Sequence, residues 1–129
     1  MNDDELAAGL AETPGYRYAE VVGDQLFVAG QVPLDGDGNL VADGDPAGQA
    51  TSCLDNLATV IEVNGFATSD IRQLTVYVVG EHQNLLDAWG AVVAWFGDAG
   101  VPPATLLGIN LLGYEAQLVE IDATIVAAG

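Results

Sequence analysis

Toward its C-terminus the chain reads Val101-Pro102-Pro103-Ala104-Thr105-Leu106-Leu107-Gly108-Ile109 and then, after a short intervening stretch, Leu118-Val119-Glu120-Ile121-Asp122-Ala123. The paired prolines bar a helix and bias the backbone before them toward extended conformations, so the residues that follow read as a strand. In the second stretch Val119, Ile121 and Ala123 alternate with Glu120 and Asp122, the period-two pattern of a half-buried strand. The spacing predicts two apolar strands joined as a hairpin. Alternation also turns the Glu120 side chain away from Val119 and Ile121, setting a carboxylate on the face opposite the core.

Upstream, Leu85, Leu86, Trp89, Val92, Val93 and Phe96 recur at helical spacing and stop at Gly97. Before them Ile71-Arg72-Gln73-Leu74-Thr75-Val76-Tyr77-Val78-Val79 is rich in β-branched and aromatic residues and reads as a central strand ended by Gly80. Ala50, Cys53, Leu54, Leu57, Val60 and Ile61 mark one face of a helix of about 17 residues, from Pro46 to a stop at Asn64-Gly65. Tyr16 to Glu20 and Gln25 to Ala29 read as strands that turn at Gly23-Asp24.

The residues between Pro33 and Pro46 are dense in Gly and Asp and read as an exposed loop. Its Asp-x-Asp-Gly spacing lacks the later glutamate and flanking helices of a calcium loop, so no metal is assigned to it. The order is strand, strand, helix, strand, helix, strand, strand. That predicts an α+β fold with two helices on one face of a mixed sheet, a single domain over 1–129 with a flexible acidic leader at 1–14. The last strands carry apolar residues on both faces, Leu106 and Gly108 against Leu107 and Ile109, which points to burial of the second face in an oligomer.

The 129 residues hold 19 Asp plus Glu against two basic residues, Arg17 and Arg72, for a net charge of −17 at pH 7. Such a surface repels phosphate and anionic lipid, which argues against nucleic-acid binding and membrane association. Two explanations of the acidity stand open: a salt-rich cytoplasm that screens self-repulsion, or a soluble acidic protein of a GC-rich genome. No apolar run is long enough to span a bilayer, and the acidic start is unlike a signal peptide, so a cytoplasmic location is expected. The single cysteine, Cys53, lies on the apolar face of the first helix and reads as a small core residue. His82 stands at an expected loop with no partner for a catalytic set. No cofactor motif or metal-ligand spacing appears.

Several further motifs run in a consistent order: Phe27-Val28-Ala29-Gly30-Gln31-Val32-Pro33, then Gln49 with Leu54-Asp55-Asn56-Leu57, then Asp70-Ile71 with Thr75-Val76-Tyr77. Together with the C-terminal signature they resemble the Rid/YjgF family, also labelled L-PSP endoribonuclease, whose active members hydrolyse reactive enamines and imines. The resemblance implies a chorismate-mutase-like fold and a barrel-forming homotrimer with a small-molecule cleft between subunits and no cofactor. It assigns Tyr16, Ala29, Gly30, Trp89 and Thr105 to ligand binding and Glu120 to positioning the attacking water. In active members an arginine grips the substrate carboxylate at the position held here by Ala104, and an asparagine often stands where Trp89 is.

Losing one partner of a buried charge pair costs about 2–5 kcal/mol, which is roughly 30-fold to several thousand-fold in binding. The resemblance with this departure implies a pocket for a small neutral or cationic metabolite. The alternatives are an imine deaminase, a hydrolase, with its cation relocated, and a non-enzymatic regulatory or scaffold trimer. Ribonuclease activity is disfavoured by the charge and by the lack of lysine or a paired histidine.

Overall fold

The computed structural model describes residues 1–129. The elements are α1 (Asp3–Ala7), β1 (Ala19–Val22), β2 (Gln25–Val28), α2 (Pro46–Val63), β3 (Ile71–Val79), α3 (His82–Phe96), β4 (Ala104–Ile109) and β5 (Val119–Val126). They form an α+β fold around one five-stranded mixed sheet of order β1-β2-β5-β3-β4.

The start of α2 follows from Asp45-Pro46. The proline's missing N–H falls among the donors a helix leaves unpaired anyway, and the Asp45 carboxylate accepts from Gly48 N at 3.1 Å. Gly65, with φ 84°, ends the helix in the left-handed conformation while Phe66 N reaches back to Ile61 O at 3.0 Å. The face between carries Ala50, Cys53, Leu54, Leu57 and Ile61, all fully buried against Leu74, Val76, Ile121 and Ile125 of the sheet. From α3, Ala88 and Val92 complete the same core. Cys53 is wholly buried, its thiol pushed up by that burial, with Sγ 3.6 Å from Val119 O. It packs as the small hydrophobe its position indicated.

The expected C-terminal hairpin does not form. β4 and β5 lie on opposite sides of β3, parallel and antiparallel to it respectively. The physical reason is the crossover: a strand reached through a helix packed on the sheet returns parallel to the strand it left, so β4 lies parallel to β3. The other side of β3 then goes to β5, which also pairs with β2 and joins the N-terminal hairpin to the rest. Residues 110–118 cross from one side to the other as a loop rather than a tight turn.

Three smaller expectations change as well. Regular pairing begins at Ala19, so Tyr16 lies in a bend ahead of β1 and not in a strand. His82 opens α3, exposed. The acidic leader is anchored: Asn2 and Glu5 are each 6% exposed, Asn64 Nδ2 donates to Glu5 Oε2 at 2.8 Å, and Leu10 packs with Tyr18 and Val60. Its apolar residues and one buried asparagine outweigh its charges.

Both long helices cover one face of the sheet. The other carries Thr75, Tyr77, Glu120 and Asp122, and is open, with Phe27 51% and Leu107 41% exposed. No helix is long and apolar enough to cross a membrane.

Candidate functional site

The open face meets the leader at the β5 end that carries Glu120. Val119 and Ile121 are fully buried toward the helices, so Glu120 projects the other way and is half-buried. Gln31 pairs with Ile121 through two backbone hydrogen bonds, N to O at 2.7 Å and O from N at 3.1 Å. That bridge holds Gly30 against the Glu120 carboxylate. A Cβ on Gly30 would collide with Glu120 Oε2 and lie 2.9 Å from its Cδ, so the glycine of the Ala-Gly-Gln motif leaves the space in which the carboxylate rests.

Tyr16 is fixed from the leader. Asn2 Nδ2 and Thr13 Oγ1 both donate to Tyr16 O, while Asn2 Oδ1 accepts from Tyr18 N at 2.9 Å. On the far side the β4–β5 loop brings in Gly113 and Tyr114. Gln117 closes this loop: its Oε1 accepts from Tyr114 N at 3.2 Å and its Nε2 donates to Glu120 Oε1 at 3.3 Å.

The result is a cleft of about 360 Å³. Four residues named from the sequence line it together, Tyr16, Ala29, Gly30 and Glu120, and Pro14, Val32, Gly113 and Tyr114 join them. Tyr114 is the omission that matters, since it adds a second phenol beside the first. Its signal in the sequence was slight, one aromatic in a glycine-bounded loop.

Ala104 and Thr105 are not brought to this cleft within one chain. They start β4, exposed, beside Leu74 and Thr75, with β3 between them and β5. Trp89 lies on α3 and packs against the core on the helical side of the sheet. A larger hollow of about 480 Å³ between Thr68, Trp95 and Pro102 has no ionisable side chain on its walls and so no acid–base capacity.

Burial is the main force raising the Glu120 pKa; the Gln117 hydrogen bond opposes it and the Asp122 charge adds to it. Tyr16 is pushed up to about 12, by burial first and then by Tyr114 beside it. At neutral pH Tyr16 is thus a neutral donor and acceptor. No cation lines the cleft. Arg17 Nη2 is bonded to Glu20 Oε2 at 3.0 Å in a shallow depression on the far side of Tyr16 and Ala29, and Arg72 Nε donates to Val126 O at 2.9 Å. A carboxylate with a raised pKa in a cleft with two phenols can take up and return a proton, and can accept hydrogen bonds.

Replacing Gly30 by alanine is expected to drive Glu120 out toward water and return its titration toward the ordinary glutamate value of about 4.3. The groups around it, Asp122, Tyr16, Tyr114 and Tyr77 on the open side and Cys53 behind the sheet, remain in place. Side-chain carboxyl NMR titration reads this directly. An unchanged Glu120 curve in G30A would show that the glycine does not set the carboxylate's position.

Residues 8–127 match the family model described as endoribonuclease L-PSP. A RutC family protein of Sulfurisphaera tokodaii is 30% identical over 106 residues, 82% of each chain, and one of Pyrococcus horikoshii is 28% identical over 108 residues, 84% of this chain and 83% of that one. Among solved structures, the YjgF gene product of E. coli superposes with a TM-score of 0.80 at 26% identity, covering 92% of both chains. The match over nearly the whole length, and the sheet and helices that carry it, make this chain a member of the endoribonuclease L-PSP family, the Rid/YjgF group.

Proposed function

We propose that this chain is a homotrimeric small-molecule-binding member of the family whose cleft takes a neutral or cationic ligand, and that it diverges from the imine deaminases at Ala104. The observation that carries the reading is a cleft walled by Tyr16, Tyr114, Gly30 and Glu120 with no cation on it. A trimer is supported by the open sheet face, where Phe27 and Leu107 stand half-exposed, and by the place of Ala104 and Thr105 on edge strand β4. There they are available to complete a neighbour's cleft. Glu120 serves as the acid–base group if the ligand is turned over, and hydrolysis, the chemistry of the family's active members, is the activity proposed for it.

The test is ammonia release from 2-aminoacrylate. The expected rate is below that of arginine-bearing relatives by roughly 30-fold or more, the consequence of a missing buried charge partner. A rate equal to theirs overturns the reading. One observation favours a second reading in that event: Arg17 adjoins Tyr16, and its pair with Glu20 is more than half exposed on both sides. A pair of that kind is worth about 0–1 kcal/mol, little enough to release the arginine toward an anion. Activity that vanishes in R17Q would identify Arg17 as the relocated cation.

A further inference from the structure

The geometry points to a protonated amine as the ligand of the cleft, its ammonium hydrogen-bonded to the Glu120 carboxylate and flanked by the rings of Tyr16 and Tyr114. This deepens the reading given above and rests on it. Four observations carry the choice of an ammonium over a neutral group.

The first is the state of the carboxylate. Glu120 receives one side-chain hydrogen bond, the 3.3 Å contact from Gln117 Nε2 to Oε1, and its Oε2 receives none from the protein. Partial burial thins the water around this group and is the main cause of its raised pKa. A half-buried carboxylate oxygen that no protein group bonds accepts best from a charged N–H donor, whose bonds are roughly twice as strong as neutral ones.

The second is the surrounding charge. Asp122 lies two residues further along β5 on the same face, its Oδ2 accepting from Tyr77 OH at 3.2 Å, so it reinforces the negative potential. The third is the cation inventory. The chain has no lysine, and neither Arg17, paired with Glu20, nor Arg72, bonded to Val126 O, lines the cleft. Within one chain Glu120 therefore has no counter-ion.

The fourth is aromatic. An ammonium within about 6 Å of a ring centroid gains from the ring's quadrupole, and two tyrosines, Tyr16 and Tyr114, line the cleft together with Glu120. A carboxylate in the same place meets Glu120, Asp122 and two electron-rich rings.

The experiment uses three ligands with the same four-carbon branched skeleton and different head-group charge: isobutylammonium, isobutyramide and isobutyrate. Each is titrated at about pH 8, where alkyl amines and carboxylates are both ionised, with Tyr114 and Gly30 amide shifts followed by NMR in the full chain. Isobutylammonium is expected to bind about 10-fold more tightly than isobutyramide, and isobutyrate to leave the shifts unmoved. E120Q, which keeps an acceptor for Gln117, should bring the ammonium and the amide to nearly equal Kd; Y114L should weaken the ammonium more than the amide. Melting curves confirm that each variant is folded.

Isobutyramide binding as tightly as the ammonium overturns the amine assignment and leaves the neutral-ligand reading standing. Isobutyrate binding most tightly overturns both. The absence of any shift up to roughly 50 mM, the range in which fragments of this size register, also overturns the assignment.

Discussion

Leu57→Ala is expected to destabilise the protein by about 2–5 kcal/mol, the range for truncating a leucine in a packed interior. Leu57 is fully buried in the middle of α2, in the cluster formed by Leu54, Ile61, Leu74, Val76 and Ile121. Removing three carbons there loses their transfer free energy and leaves a void that this two-layer packing cannot close, since helix and sheet meet along the whole length of α2. A domain of this size has about 5–15 kcal/mol in total, so the loss is a large part of the reserve. Thermal unfolding should shift down by roughly 6–20 °C. A shift under about 2 °C would mean that α2 repacks freely and that the sheet, rather than the helix–sheet contact, sets stability.

That residue was legible in the sequence because it belongs to a periodic set. Ala50, Cys53, Leu54, Leu57 and Ile61 repeat at three and four, and β3 announces itself through nine residues with Leu74, Val76 and Val78 on one side. Elements whose identity depends on local pattern were therefore read closely, down to the Pro46 start and the Gly97 stop. Pairing was not. Pattern fixes which residues share a face of a strand, but nothing in Thr105 or Glu120 records that β3 will lie between their strands. That outcome belongs to the α3 crossover.

The site divides in the same way. Tyr16, Ala29, Gly30 and Glu120 come from three separate segments and do meet in one cleft, with the reason for Gly30 visible only once Glu120 is beside it. Tyr114 and Pro14 went unread because each sits in irregular chain, where side-chain direction is set by contacts rather than by period. The leader is the plainest case: its acidity suggested mobility, whereas Asn2 fastens Thr13, Tyr16 and Tyr18 at once.

Gln49 links the fold to the site, and its substitution should separate the two. The side chain is fully buried, Oε1 accepts from Leu118 N at 2.7 Å, and Nε2 reaches the carbonyls of Ala42 and Ala116 at 3.3 and 3.4 Å. It thus ties the end of the β4–β5 loop, which carries Tyr114 and Gln117, to the first turn of α2. Gln49→Met keeps most of the volume and removes every polar contact, leaving the Leu118 N–H without its partner. The expected loss is about 1–3 kcal/mol, the penalty for a buried donor left unpaired. Because the core around Leu57 is untouched, the local effect should exceed the global one: amide exchange at Leu118 and across residues 113–117 should accelerate by more than the change in global stability accounts for, with β3 amides following the global change alone. The ammonium preference should weaken in parallel, since Tyr114 and the Gln117 contact to Glu120 both ride on this loop. Uniform acceleration across loop and sheet would show instead that Gln49 contributes only to general stability and that the cleft wall is held by Gln117 itself.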